Sequence, residues 1–423
     1  MSAHLSRRDL GRAAAVAGLG LAGALSARPA SAAAPTWRAT GTAPTSLAGF
    51  DATMKSFMQA RSITCGSLAV ARHGKLVLAR GYSWSTGATP VTQPNSLFRI
   101  ASLSKPITAA AVLRLVQDGK LSLSAKVVDL LGLTPADPRM AEVTVLRLLQ
   151  HLGGWDSKIS TDPMFNNYAI SKALGVSLPI KQADVIKYTT GLMLDHDPGS
   201  TYAYGNYDYL LLGRIIEKVS GQPYQSYVQQ TILGPRGIRR TKLGRTLKAE
   251  ALTGEVPYFS QYSGKTVLDG SGATVPGPYG VYNLENMDSH GGWVSNAVDL
   301  VRFAGIFDTG STVLSPASIT RAFAQPETGL NPGDWWYGCG WQVRNVTGGR
   351  NTWHTGSLQG TSTLLVRRYD GITYAALFNQ RDDASGLSYN DIDGLLYRAA
   401  NSVTSWPTGD LFPLYLRWVS AVR

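Results

Sequence analysis

The chain has 423 residues, 44% of them apolar and 16% charged, which excludes a disordered or collagen-like chain and allows one large core or two to three ordinary ones. Its 40 basic and 28 acidic residues give a net charge of +12, but they are scattered. The densest basic group, Arg236, Arg239, Arg240, Lys242 and Arg245, reads as a solvated loop rather than a nucleic-acid face.

Ser6-Arg7-Arg8-Asp9-Leu10 is a twin-arginine pattern. An apolar Ala/Gly-rich run follows from Ala13 to Leu25, and then Ala30-Ser31-Ala32. The order basic, apolar, Ala-x-Ala predicts an export signal over 1–32, of the kind that carries folded proteins out of a prokaryotic cytoplasm. The protein is therefore expected to be secreted or extracytoplasmic. The Pro/Thr/Ala-rich stretch 33–46 reads as a flexible leader. Leu47, Phe50, Met54, Phe57 and Met58 have helical spacing, which predicts a helix over 47–61. Runs 64–72 and 75–82 form a hairpin pattern around His73-Gly74. A helix is predicted from Ala101, with Gly119 as its stop. Residues 120–290 are mostly helical pieces and Pro/Gly-rich loops, with 142–151, 181–190 and 207–220 the clearest helices. A helix over 294–308 follows, then strands at 337–345, 351–354, 361–369 and 372–379. A closing helix spans 387–402. The tail 403–423 carries the apolar stretch Leu411-Phe412-Pro413-Leu414, which reads as packing on the sheet. No apolar run beyond the N-terminus is long enough to span a bilayer.

Strands early and late with helices between predict an α+β fold. One antiparallel sheet is assembled from both ends of the chain and flanked by terminal helices, with a helical lobe inserted at roughly 120–290. A cleft is expected between the lobes.

Three short segments carry candidate chemistry. Ser102-Leu103-Ser104-Lys105 opens a predicted helix, where residues three apart share a face. A free serine hydroxyl is a weak nucleophile, and a lysine amine activates it only if burial or positive charge lowers its pKa. Tyr204-Gly205-Asn206 puts a phenol and a carboxamide on either side of a glycine before a helix. His354-Thr355-Gly356-Ser357 ends a strand-like run, where glycine lets a substrate approach the backbone. Taken singly, each also reads as a helix cap, a loop or a turn. His151 reads as a structural hydrogen-bonding histidine, and Asp195-His196-Asp197 as a loop rather than a metal site. Trp335, Trp336, Tyr337 and Trp341 read equally as cleft wall and as sheet packing. Cys65 and Cys339 are too few for a disulfide framework and are read as buried thiols.

Phe98-Arg99-Ile100-Ala101-Ser102-Leu103-Ser104-Lys105-Pro106-Ile107-Thr108 closely resembles the nucleophile segment of the serine β-lactamase and penicillin-binding protein superfamily. Tyr204-x-Asn206 resembles the second motif of its class C branch. His354-Thr355-Gly356 resembles the third, where class C enzymes carry Lys-Thr-Gly. Leu148 to Gly154 and Gly291 to Ser295, followed by Asp299 to Phe303, resemble two further landmarks. The resemblance covers about 47–402 and implies the β-lactamase/transpeptidase-like fold over that span. It implies Ser102 as the acylated nucleophile, Lys105 as its base, and Tyr204 as partner base and proton donor. Asn206 would orient the substrate carbonyl. The backbone N–H groups of Ser102 and Ser357, beside Gly356, would form an oxyanion hole, and His354 and Thr355 would line the cleft. No metal or cofactor is implied, and the partner is a small-molecule or peptide substrate, with no nucleic acid.

His354 departs from the pattern. A histidine near its reference pKa of ~6.5 is mostly neutral at pH 7, unless a neighbouring anion keeps it charged. It therefore suits an esterase, D-amino-acid peptidase or amide hydrolase better than a β-lactamase or D-Ala-D-Ala carboxypeptidase. Acyl transfer to another nucleophile and a non-catalytic cell-wall binding protein are the other readings. Substrate identity and oligomeric state are not legible in the sequence.

Overall fold

The computed structural model describes residues 34–87 and 89–416, so the export signal expected over 1–32 lies outside the described residues, as does the end of the tail.

Strand alternation builds the sheet. In Ile372–Phe378, Ala375 and Leu377 enter one buried cluster while Ile372, Tyr374, Ala376 and Phe378 enter another. Successive side chains of a strand point to opposite faces, so this strand is buried on both. Cys65–Arg72 divides its residues in the same way. The two strands pair antiparallel, from Ile372 opposite Arg72 to Phe378 opposite Gly66, and so join the two ends of the chain. They form the centre of an eight-stranded sheet. Its order is Thr36–Thr42, Lys75–Ser85, Cys65–Arg72, Ile372–Phe378, Thr361–Arg367, Gly349–Leu358, Gln342–Val346 and Trp336–Tyr337.

The helices Ala48–Ala60 and Asp391–Asn401 cover one face through Phe50, Met54, Phe57 and Leu396. Fully burying each such side chain stabilises the fold by roughly 1.5–3 kcal/mol. The helix Ala297–Ala304 lies on the other face; Asn296 caps it by accepting the Asp299 N–H. Beyond it runs Ser104–Gln117, hereafter the Lys105 helix, in which every residue from Ser104 to Leu113 is buried. A helix apolar on all sides belongs inside a core. The inserted segment supplies Val127–Leu131, Val145–Leu149, Asn167–Leu174, Gln182–Thr190, Asn206–Ser220 and Tyr224–Val228, with short strands at its end.

Four expectations need correction. The stretch 33–46 expected as a flexible leader contains an edge strand, Thr36–Thr42, paired from Thr36 opposite Ser85 to Thr42 opposite Ala79. Trp37 stacks on Tyr82 at 5.4 Å, and Thr40 Oγ1 donates to the Thr92 carbonyl at 2.6 Å. The Pro/Ala content conceals a run of strand-favouring threonines. The helix expected from Ala101 begins as a 3₁₀ turn, Ala101–Leu103, before becoming α-helical. The helix expected at 294–308 is preceded by the strand Trp293–Ser295 and starts only at Ala297. The strand expected at 337–345 is instead a hairpin of Trp336–Tyr337 and Gln342–Val346. Its turn closes with Gly338 N–H donating to the Trp341 carbonyl at 2.8 Å. Gly340 has φ +78°, and a Cβ there would lie 2.6 Å from the Ala109 Cβ. Glycine thus lets this hairpin press against the Lys105 helix.

The tail docks on the sheet. Leu411 N–H donates to the Leu76 carbonyl at 2.8 Å, and Asp410 Oδ1 accepts the Leu76 N–H at 3.0 Å. Cys65 and Cys339 are both buried free thiols.

Candidate active site

The segment leading to Ser102 is anchored on both sides. Phe98–Arg99 pairs with Trp293–Ser295, and Ile100 N–H donates to the Trp293 carbonyl at 2.9 Å. The buried Arg99 guanidinium donates to the carbonyls of Pro278, Arg245 and Thr246 and to the Tyr282 hydroxyl. This anchoring holds Ala101 at φ +46°, a left-handed conformation costing a non-glycine residue roughly 1–3 kcal/mol. The strained residue turns the chain so that Ser102 enters the cleft.

Lys105 is fully buried. Its Nζ lies 3.0 Å from Ser102 Oγ, 2.8 Å from Asn206 Oδ1 and 3.1 Å from the His290 carbonyl. Burial lowers its pKa from the ordinary 10.5 to about 7, against the opposing charges of Asp162 and Asp208. The amine is therefore extensively neutral at neutral pH. It also sits 4.7 Å from the centre of the Tyr204 ring. Burial pushes the Tyr204 phenol far above its ordinary pKa, with a smaller opposing effect from the Ser102 side chain. Tyr204 therefore rests as a protonated phenol beside the amine.

Asn206 begins the helix Asn206–Ser220, which packs against the Lys105 helix. Its Nδ2 donates to Asp162 at 2.6 Å. On the opposite wall, Gly349–Leu358 carries His354, Thr355, Gly356 and Ser357. A Cβ at Gly356 would collide with the Ile100 carbonyl and Thr363 Oγ1 and would sit 3.2 Å from the Ser102 nitrogen. Glycine is thus what allows this strand to lie against the Ser102 backbone, as an oxyanion hole requires.

His354 is buried and already committed. Its Nδ1 lies 2.7 Å from the Thr355 carbonyl and its Nε2 2.8 Å from the Tyr337 hydroxyl. A carbonyl only accepts, so Nδ1 carries the proton and Nε2 accepts from Tyr337. Burial, then the Lys105 charge, lowers its pKa to about 3. Among the described residues, no neighbouring anion holds it charged.

Ser102, Tyr204, Asn206, His354, Thr355 and Ser357 line one cleft of about 280 Å³. Lys105 reaches it through Ser102, and Gly356 packs behind it against the Ile100 carbonyl and the Ser102 nitrogen. Tyr337, which reads equally as cleft wall and as sheet packing, also belongs to this neighbourhood, as do Asp162, His290 and Arg381, which carry no local signal in the sequence. Arg381 sits on the rim, its Nη1 donating to Ser357 Oγ at 3.2 Å.

His151 is structural in its contacts. Its Nδ1 accepts the Gly205 N–H at 3.2 Å and lies 2.9 Å from Asp208 Oδ2. Burial pushes the Asp208 carboxyl well above its ordinary range. Asp195, His196 and Asp197 diverge, toward Ser160, Asp156 and Arg139 respectively. Among the described residues, no group of three His, Cys, Asp or Glu side chains is arranged to hold a metal, and no helix is long and apolar enough to cross a membrane.

A sequence model described as Beta-lactamase matches residues 50–397. Penicillin-binding protein 4* of Bacillus subtilis (strain 168) is 32% identical over 314 residues, covering 72% of this chain and 65% of that protein. Penicillin-binding protein 4 of Amycolatopsis lactamdurans is 28% identical over 320 residues, covering 72% and 76%. With other curated relatives the match spans about a third of their length. The solved D-amino acid amidase of Ochrobactrum anthropi SV3, complexed with L-phenylalanine amide, superposes with a TM-score of 0.67 at 19% identity, over 86% of this chain and all of that one. That likeness shows a common fold. With the family match running through both lobes, the chain belongs to the Beta-lactamase family of serine hydrolases.

Proposed function

We propose that this protein is an exported serine hydrolase that cleaves an ester or amide, D-configured peptides among its substrates, through an acyl-Ser102 intermediate. The observation that carries the reading is the buried Lys105 amine, with a pKa of about 7, 3.0 Å from Ser102 Oγ. Its other two hydrogen-bond neighbours, Asn206 Oδ1 and the His290 carbonyl, only accept. A neutral amine gives both its N–H groups to them and keeps its lone pair for the Ser102 proton. Ser102 Oγ then bonds to the substrate carbonyl carbon while its proton moves to Lys105. The backbone N–H groups of Ser102 and Ser357 receive the oxyanion. As the carbonyl re-forms, the bond to the leaving group breaks. Tyr204 protonates that group and is reprotonated from Lys105. Water adds to the acyl ester by the reverse proton path and frees Ser102. An added amine or alcohol in place of water would make the same cycle an acyl transfer.

A second reading, D-Ala-D-Ala carboxypeptidase or β-lactamase activity, is favoured by Arg381. Its guanidinium on the Ser357 rim supplies a cation for a substrate carboxylate, which the neutral His354 does not. Intact-protein mass spectrometry of the mature chain with a fluorophosphonate or a β-lactam, beside Ser102→Ala, tests both. A phosphonate adduct lost in Ser102→Ala is expected, and a β-lactam adduct as well would favour the second reading. No adduct with either reagent would leave a non-catalytic cell-wall binding protein and overturn the proposal. Export is tested by the mass of the secreted protein, with cleavage expected after Ala32.

A further inference from the structure

Asp162 belongs to none of the three motifs, yet it ends a hydrogen-bond chain that leads to the nucleophile. Its Oδ2 accepts from Asn206 Nδ2 at 2.6 Å, and Asn206 Oδ1 accepts from Lys105 Nζ at 2.8 Å. Its Oδ1 accepts the Met164 N–H at 2.9 Å, capping the turn Pro163–Phe165 that places Phe165 on the cleft wall. We propose that Asp162 is a positioning residue that fixes the orientation of the Asn206 carboxamide, and through it the direction of the Lys105 lone pair. The inference rests on the acyl-Ser102 reading.

An ionised carboxylate can only accept hydrogen bonds, so the carboxamide must turn its NH₂ toward Asp162 and its oxygen toward Lys105. In that orientation Asn206 takes one N–H from the neutral amine, the His290 carbonyl takes the other, and the lone pair faces Ser102. The second N–H of Asn206 stays free for the substrate carbonyl. A flipped Asn206 would instead donate to the amine. It would compete with the Ser102 hydroxyl for the lone pair and withdraw the donor the substrate needs. A misdirected base of this kind costs roughly 100-fold in rate.

Asp162 also acts on Lys105 by charge. The other titratable groups facing the amine are Asp208, Tyr204, Tyr209, His151, His290 and His354. Burial disfavours the charged form of each: it pushes the acid and both phenols up and the three imidazoles down. Burial raises Asp162 too, but Met164 N–H, Asn206 and Lys105 all oppose that rise. Its negative charge favours the protonated amine, so its removal lowers the Lys105 pKa.

Two substitutions separate position from charge. Asp162→Asn loses the charge and keeps one acceptor oxygen for two donors, Met164 N–H and Asn206 Nδ2, whereas Asp162→Ala loses the charge and both oxygens. With an activated ester, Asp162→Ala is expected to lose roughly 100-fold in kcat. Asp162→Asn should lose less kcat than Asp162→Ala, with the acid limb of its kcat/KM profile moved below the wild-type position near pH 7. Carbon-13 NMR of ε-labelled lysine, with Lys105 assigned by loss of its signal in Lys105→Met, reads the same titration without turnover. Its midpoint should fall in Asp162→Asn. Wild-type kcat in Asp162→Ala, or an unmoved Lys105 midpoint in Asp162→Asn, would overturn the inference. If Asp162→Ala does not fold, the limb and midpoint of Asp162→Asn decide alone. If wild type gives no Ser102 adduct, the acyl-Ser102 reading fails, and the NMR midpoint still judges the Asp162–Asn206–Lys105 linkage.

Discussion

Replacing Lys105 with methionine should abolish turnover and at the same time change the pH dependence of stability in a calculable way. In the folded protein the amine has a pKa of about 7, against an ordinary 10.5 in the unfolded chain. Between those values the unfolded state binds the extra proton, so wild-type stability rises with pH by about 1.4 kcal/mol per pH unit. Below pH 7 both states are protonated and the dependence ends. Methionine has no such proton. The stability of Lys105→Met relative to wild type should therefore fall by about 2.7 kcal/mol between pH 7.5 and 9.5. The sign at any single pH is a competition. Removing a buried amine is favourable, but it leaves Asn206 Oδ1 and the His290 carbonyl unpaired, at roughly 1–3 kcal/mol each. Those losses do not vary with pH, and titrations common to both proteins cancel, so the difference isolates Lys105. Urea unfolding followed by tryptophan fluorescence at the two pH values measures it. A difference constant to within about 0.5 kcal/mol would show that burial does not lower the Lys105 pKa, and the proposed base would be lost.

Three further outcomes are expected. The kcat/KM of wild type should fall about tenfold per pH unit below pH 7, as Lys105 takes up its proton; a rate flat from pH 5 to 8 would exclude a neutral Lys105 as base. Tyr204→Phe should lower kcat/KM for an unactivated amide by roughly 100-fold or more, and far less for a p-nitrophenyl ester, whose leaving group needs no proton. Equal losses on both substrates would remove Tyr204 as proton donor. Arg381→Ala should raise KM roughly tenfold for a peptide with a free carboxylate and leave a neutral ester unchanged, measured by steady-state kinetics; an equal change for both would show that Arg381 only supports the strand.

The parts of the site legible in the sequence are those whose chemistry lies within a few neighbouring residues. Ser102 and Lys105 are one helical turn apart, Tyr204 and Asn206 flank one glycine, and His354 to Ser357 are contiguous. The rest is assembled by tertiary contact. Asp162 meets Asn206 across 44 positions, and Lys105 meets the His290 carbonyl across 185. Asp162 precedes Pro163 in what reads as an ordinary loop, and the His290 contribution is a backbone carbonyl, which any residue could supply. The sheet was legible where a short apolar run marks a strand buried on both faces, as in Ile372–Phe378. It was concealed at Thr36–Thr42, where an edge strand needs only one ladder of hydrogen bonds and carries no apolar run. The hairpin at Gly338–Trp341 was concealed for a different reason: its Gly340 answers to the Lys105 helix, more than 200 positions earlier.

The histidine at 354 acquires a physical rationale from these contacts. A lysine there would add a second cation facing Lys105 in a site that already holds the amine near pH 7 by burial alone, and like charge would lower that pKa further. A neutral imidazole avoids this. With its Nδ1 proton on the Thr355 carbonyl and its Nε2 accepting from Tyr337, it braces the strand that bears Gly356 and Ser357 against the hairpin pressed on the Lys105 helix. The brace and the charge are thus separated. His354 holds the strand of Gly356 and Ser357 to the hairpin, and the proposed cation for an anionic substrate, Arg381, lies on the rim beside Ser357.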